Sequence, residues 1–218
     1  MDNRENTQIK ITPAFARLHA HICGDGCMYA YKGHRLKSEL KKHPRNNLIK
    51  MTYNIEYTNN CKDLLKETIK DFKDEFNKKA TQFKTKNQIR IRGKWIYDLF
   101  KSLGAGKSKE WFISKEITSS SKEVKINWLR AFFDDEAHVS IIKKRIILNI
   151  VNKKGLIQIQ NLLKDLEIES SLKGPYRYKK YKSYHLSLYG DAIEKYTKII
   201  NFNEPNKQKT LMELTNLI

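Results

Sequence analysis

Asp25 and Glu136 are the residues of this chain whose placement could do chemistry together. The first closes the stretch Leu18-His-Ala-His-Ile-Cys-Gly-Asp25-Gly26, and the second closes Leu129-Arg-Ala-Phe-Phe-Asp-Asp-Glu136-Ala137. Each stretch has the form of a helix that runs into an acid and then breaks into a strand. One such acid is an ordinary polar turn residue. Two at one place make a site for a hard divalent cation such as Mg²⁺, which takes carboxylate oxygens together with phosphate oxygens and water. A cation held there activates water and stabilises the charge on a leaving oxygen, which is what phosphodiester cleavage needs.

The elements that must bring the acids together are two helices lying side by side. Thr12-Pro13 starts the first, with a hydroxyl able to cap and a proline at the first helical position, and Gly26 ends it after about Asp25. Ser120 followed by Glu123 has the form of a capping box and starts the second, which ends near Glu136. Close approach needs small inner faces, and Ala20, Gly24 and Ala131 supply them.

Between and beyond these helices the chain repeats itself. Ile49, Met51, Tyr53, Ile55 and Tyr57 alternate with polar residues, which predicts a strand with one wet face. A helix follows from Cys61 to about Phe76. A second strand is predicted with Gln82, Lys84, Lys86, Gln88, Arg90 and Arg92 on one face, then a short helix over 95–103. Residues 104–120 read as a linker. The same order then returns: extended segments over 138–143 and 145–151, a helix over 153–166, strands around 176–181 and 184–189, a helix over 192–200 and a last one after Pro205. Thr58-Asn-Asn-Cys-Lys62 before one helix matches Ile150-Val-Asn-Lys-Lys154 before the other, and Gln88–Gly93 matches His185–Gly190. The fold class is therefore α+β: a pseudo-twofold tandem αββαββα repeat, two antiparallel sheets forming a saddle, helices on the opposite face. The halves span 1–103 and 121–218, joined by 104–120, as an internal pseudo-dimer in a monomer.

The partner follows from charge. Lys and Arg number 43 against 24 Asp and Glu, a net charge of +19, and the excess is spread along the whole chain. Such a charge points to a polyanion, and nucleic acid fits the spread better than a membrane surface, which usually takes one basic amphipathic helix. No apolar run approaches the ~20 residues of a membrane span, and the first residues carry no apolar signal segment. The expectation is a soluble intracellular protein, in the cytoplasm or in an organelle of a eukaryote. Three cysteines, an odd number, argue against a disulfide framework. His19, His21, Cys23 and Cys27 suggest zinc, but on a helix His19 and Cys23 share a face that His21 does not. Gly104-Ala-Gly-Lys107-Ser108 lacks the first glycine of a phosphate loop, since Lys101 stands there.

With two acid-ended helices in a repeat, the chain resembles the LAGLIDADG homing endonucleases in their single-chain, two-motif form, over about residues 12–203. The resemblance aligns Asp25 and Glu136 with the metal-binding acid of each motif and Gly26 with the glycine after it. It implies Mg²⁺-dependent cutting of both strands of a long double-stranded DNA site across the minor groove, with Mn²⁺ able to substitute, short 3′ overhangs, and sheets in the major groove. Gly24 and Asp135, beside the acids, would share the metal site. A Lys or Gln that organises the attacking water often follows the second strand in this family, and Asn59, Asn60, Asn152 and Lys153 are the nearest matches. The chain departs from the pattern in His19 and His21, in Ala137 for glycine, and in Asp135 at a normally small interface position.

DNA contact is expected from the wet strand faces: Lys50, Thr52, Asn54, Glu56, Lys84, Lys86, Gln88, Arg90 and Arg92 in the first half. Arg145, Asn149, Arg177, Tyr178, Lys180 and Lys182 are their counterparts, with Tyr29 and Tyr31 near a hairpin tip. Arg and Lys suit guanine, Asn and Gln adenine, and Glu cytosine, while some of the set hold only phosphate. The competing function is an RNA maturase acting on an intron, or a non-catalytic nucleic-acid-binding regulator, on the same scaffold. The acids favour cutting and intron mobility, because carboxylates near phosphates weaken simple binding.

Overall fold

The structure, a computed structural model, describes residues 10–34, 49–178 and 181–217. Lys180 of the expected DNA-binding set lies outside the described residues, and Lys84 and Tyr178 are described in backbone only.

Two αββαββα units follow one another. The first is α1 (Pro13–Cys23), β1 (Gly26–His34), β2 (Ile49–Thr58), α2 (Lys62–Phe76), β3 (Thr81–Phe83), β4 (Gln88–Arg92) and α3 (Lys94–Ser102). A connector with the short helix α4 (Lys115–Thr118) leads to α5 (Lys122–Glu136), β5 (Ala137–Ser140), β6 (Arg145–Ile150), α6 (Lys153–Asp165), β7 (Ser171–Tyr178), β8 (Tyr181–Leu188) and α7 (Asp191–Ile199). A tail helix, α8 (Pro205–Thr215), completes the chain. The sheets have the same order, β1-β2-β4-β3 and β5-β6-β8-β7, and every pairing is antiparallel.

Thr12 caps α1 as its sequence suggests, its hydroxyl accepting from the Phe15 N–H at 3.0 Å. Ser121, rather than Ser120, caps α5, accepting from the Val124 N–H. Helices α1 and α5 pack against each other along their length, with Ala16, Leu18, Ala20, Leu129, Ala131 and Phe132 buried between and beneath them. His19 fits this apolar seam because both ring nitrogens find partners. Trp128 Nε1 donates to Nδ1 at 3.0 Å, and Nε2 donates to the Leu103 carbonyl at 2.9 Å. Burial pushes its pKa down to about 4, so the ring is neutral.

The connector is a packed element rather than a free spacer. Trp111, Ile113 and Ile117 are buried, and the Gln158 carboxamide closes two hydrogen bonds onto the Ile113 backbone, at 2.9 and 2.8 Å.

The expected strand over 82–92 is broken. Lys84–Lys86 form a 3₁₀ turn closed by Asn87 in the left-handed region (φ 45°), so β3 folds back on β4 as a hairpin. Lys86 is therefore exposed at a turn instead of alternating along a strand face, and Gln82 pairs with Ile89 on the opposite side from Arg90. Asparagine tolerates that backbone where most residues do not, which decides the turn.

Candidate functional site

The two helices deliver their acids differently. α1 ends at Cys23, so Gly24 and Asp25 form the turn into β1. A Cβ at Gly26 would lie 2.4 Å from the Ile22 Cα, so only glycine fits this sharper exit. α5 instead runs through Glu136, and Ala137, in extended backbone (φ −81°, ψ 147°), can keep its side chain. Burial and the Asp135 charge raise Asp25 to about 6; burial and the Asp25 and Asp135 charges raise Glu136 to about 7. Both acids thus sit in a pocket of negative potential that an added cation would relieve.

That donor set fits a hard divalent cation. Among the described residues no three His, Cys, Asp or Glu side chains converge on a point, so such a cation would draw the rest of its shell from water, phosphate and main-chain oxygens, as Mg²⁺ commonly does.

Asp135 is not available to it as a free ligand. Its side chain is completely buried and fully engaged: Oδ2 meets His21 Nδ1 at 2.9 Å, and Oδ1 accepts from the Tyr57 hydroxyl at 2.7 Å and from Asn59 Nδ2 at 3.1 Å. Burial disfavours charge on His21, but the Asp135 carboxylate outweighs it and raises the ring's pKa. Gly24 makes room for this, since a Cβ there would meet Asp135 Oδ2 at 3.0 Å. The normally small interface position thus tolerates an acid because the facing residue has no side chain.

Of the asparagines, Asn59 reaches the site and Asn152 does not. Asn59 Nδ2 also donates to Asp25 Oδ2 at 3.2 Å. Asn60 lines the same cleft but accepts from Asn87 Nδ2 at 3.3 Å. Asn152 is buried as the N-cap of α6, accepting from Gly155 N–H at 3.1 Å and donating to the Trp111 carbonyl at 2.6 Å, so its role is structural. Lys153 Nζ sits 5.7 Å above the Tyr184 ring, away from this cluster.

Sequence reading missed Lys207, on the tail helix. Its ammonium donates to the carbonyls of Phe133 (3.3 Å), Asp134 and Asp135 (3.1 Å), capping the negative end of α5. Burial pulls its pKa down against the attraction of Asp135 and Asp134. The same tail turn ties down Asp134, whose Oδ1 accepts from the Asn203 and Glu204 N–H groups at 2.9 and 3.0 Å. Together Asp25, Asn59, Asn60, Asp135, Glu204 and Lys207 line an open cleft of about 400 Å³. Lys207 lies 71 residues beyond Glu136 in the sequence, and no local pattern marked it.

The outward sheet faces carry the other candidates. Register puts Tyr29, Tyr31, Thr52, Asn54, Glu56, Gln88, Arg90 and Arg92 on one face of the first sheet, with Lys50 on the same alternation. Glu56 is its hub, accepting from Tyr29 (2.7 Å), Gln88 (2.9 Å) and Arg90, whose guanidinium lies over the Phe83 ring. Asn54 is 1% exposed with neither end of its carboxamide hydrogen-bonded. In the second sheet Arg145 and Asn149 lie on the outer face, where His138, Lys173, Tyr176 and His185 join them. Tyr176 and His185 stack with centroids 4.2 Å apart. Arg177 pairs with Lys182 at the far end of the β7–β8 hairpin, and alternation puts Lys182 with Leu186 and Leu188 on the helix side. The extra residues between Lys173 and Tyr176 shift the register and defeat a simple period-two reading.

Comparison with known proteins agrees with this geometry. Residues 123–201 match the family model of a LAGLIDADG-like domain. Mesophilic variants of the homing endonuclease I-DmoI superpose with a TM-score of 0.65 at 16% identity, over 94% of this chain and 100% of that one. The chain has the LAGLIDADG fold, in its single-chain, two-motif form. A second structure, I-DmoI in complex with DNA and Mn, gives a TM-score of 0.62 at 17% identity, over 87% of this chain and 97% of that one. Full-length DUF199/WhiA from Thermatoga maritima gives 0.53 at 12% identity, covering 98% of this chain and 62% of that one. No curated protein matches the chain. Among the described residues no helix is long and apolar enough to cross a membrane.

Proposed function

We propose that this protein is a site-specific DNA endonuclease of the homing type, which hydrolyses both strands of a long duplex site with Mg²⁺ and so promotes the spread of an intron. One observation carries the reading: two carboxylates stand at the ends of two packed helices, close enough that the Asp25 charge raises the proton affinity of Glu136 while Asp135 raises that of both. A binding module gains nothing from such a cluster, because phosphate would be repelled by it. Asp25 and Glu136, with main-chain oxygen near Gly24, would hold the cation, and Mn²⁺ would substitute. The cation's contribution is to activate water and to neutralise charge on the phosphate. In the reaction a water oxygen bonds to phosphorus, a phosphate ester bond breaks, and the leaving oxygen takes up a proton.

The chain's own groups bind and orient the duplex. The net charge of +19 supplies phosphate affinity that falls steeply with salt. The first sheet offers Arg90 and Arg92 for guanine and Gln88 and Asn54 for adenine. Asn54 has both a donor and an acceptor unsatisfied but is buried beneath its neighbours, so an adenine edge would complete both only once those neighbours move aside. Arg145, Asn149, His138 and Lys173 would act from the second sheet. In this reading 1–103 and 121–218 are the two DNA-binding halves, and 104–120 joins them.

The test is cleavage of a randomised duplex library in plasmids, with Mg²⁺. Linear products with one shared junction, absent for Asp25→Asn and Glu136→Gln, are expected. Undiminished cutting by both variants would overturn the site. Tight binding of structured intron RNA, with no DNA cut, would replace this reading with the maturase.

A further inference from the structure

The two acids stand at equivalent places but not in equivalent surroundings. In the first sheet Gly26, just after Asp25, pairs with Tyr57; in the second Ala137, just after Glu136, pairs with Leu148. Two residues further, Asn59 corresponds to Ile150, and three beyond that α2 and α6 begin, at Lys62 and Lys153. Strand register and helix start therefore agree on the correspondence. The polar pair Tyr57 and Asn59 has as its counterpart the buried apolar pair Leu148 and Ile150.

The helices differ in the complementary sense. Immediately before the acids stand Gly24 and Asp135, and the Asp135 side chain passes into the space that Gly24 leaves open. It thereby leaves its own half and bonds three residues of the other: His21, Tyr57 and Asn59. Asn59 is held at both ends. Its Oδ1 accepts from the Cys61 N–H at 2.8 Å, which turns Nδ2 toward Asp135 and Asp25. Removing Asp135 would leave Asp25 as the one partner of Nδ2, at the longer distance of 3.2 Å, with Oδ1 still on the Cys61 N–H.

We propose that Asp135 is a positioning residue that acts across the helix pair, fixing the Asn59 carboxamide against Asp25. Among the described residues the second half has no such group at Glu136, so the two DNA strands are cut at unequal rates through a nicked intermediate, the strand served by the first half going first. This rests on the endonuclease reading above for its kinetic half only. An amide held beside Asp25 can hydrogen-bond water or a phosphate oxygen there, whereas Ile150 offers nothing polar beside Glu136.

The kinetic test follows both strands of an end-labelled duplex, using a site recovered from the randomised library. Wild-type protein should accumulate nicked duplex of one polarity. Asn59→Ala and Asp135→Ser should slow that first cut by about tenfold or more, the size of one lost hydrogen bond to a charged group. The slower cut should change little, and affinity for the duplex in Ca²⁺ should hold. Asp135→Asn, which keeps an acceptor for Asn59, should recover most of the loss. Equal strand rates in the wild type, or variants that slow both cuts alike, would overturn the proposal.

A second readout needs no cutting. In ¹H–¹⁵N spectra of the metal-free protein, the Asn59 side-chain amide, assigned from the signals lost in Asn59→Ala, should move to the position of a solvent-exposed asparagine in Asp135→Ser. Thermal unfolding of each variant shows that it is folded. If the wild type cuts no DNA, the endonuclease reading and the strand order fall together, and an Asn59 signal unmoved by Asp135→Ser would sink the positioning role as well.

Discussion

Around Asp25, the first half places a tight glycine turn, an asparagine and a tyrosine, and borrows a carboxylate from the opposite helix. Around Glu136, the second half keeps its helix intact, allows alanine after the acid, and lines the equivalent strand with Leu148 and Ile150. The frame is shared, down to strand order and the pairing beside the two acids. Repetition of a backbone thus fixes where the acids stand, while the polar groups around them diverge one position at a time. Under the proposed endonuclease function, such a chain calls for an asymmetric target.

The largest expected contrast is in activity. Asp25→Asn and Glu136→Gln should each lower linearisation by about 10²-fold or more, the scale set by losing an electrostatic group at a reacting centre. If either variant linearises DNA at the wild-type rate, the acids do not form one site.

Next comes the turn. Gly26→Ala must displace the Ile22 backbone and should cost about 2 kcal/mol or more in denaturant unfolding. Ala137→Gly, at the equivalent place, should cost about 1 kcal/mol or less, mainly through the greater freedom of glycine in the unfolded chain. Equal costs would mean that the two exits are built alike.

Lys207→Met removes three hydrogen bonds from the end of α5 and should lower stability by about 1–3 kcal/mol, with Lys207→Arg milder. Because Lys207 faces the acid pair from the tail helix, its loss should also raise the pKa of Asp25 and Glu136, where its charge now opposes the upward shift.

The smallest effect is a slope. Asp25 is raised to about 6, and Asp134 and Glu136 to about 7, from ordinary values near 4. A carboxyl that holds its proton more tightly when folded contributes most at low pH and loses that contribution as pH rises from its unfolded to its folded value. The raised His21 acts in the same direction. Metal-free protein should therefore melt at a higher temperature at pH 5.5 than at pH 8. Glu136→Gln or millimolar Mg²⁺ should flatten the difference; a melting temperature that climbs between pH 5.5 and 8 would contradict the shared negative pocket.

Much of this was legible in the chain because local rules produced it. Thr12-Pro13 caps and starts α1, the alternation from Ile49 to Tyr57 makes β2, and two acid-ended helices in a repeated order give the tandem fold. Where sequence reading went astray, a tertiary or backbone effect intervened. Asn87 turned an expected strand into a hairpin, the bulge before Tyr176 changed the face on which Arg177 lies, Lys182 follows the helix-side alternation of β8, and the match of Asn60 with Asn152 was one residue out. Strand pairing aligns Cys61 with Asn152, both helix N-caps, and leaves Asn59 facing the acids.

The sequence by itself determined the two halves, the helices between them, the acids at their ends and the charge that suits a polyanion, because periodicity, capping and composition act within a few residues of one another. Only the tertiary structure decided what Asp135 does, that Lys207 caps the acid-bearing helix, and that Asn59 rather than Asn152 reaches the site. Those roles depend on groups 72 to 114 residues apart meeting at about 3 Å, a closeness that chain folding creates and no local pattern encodes.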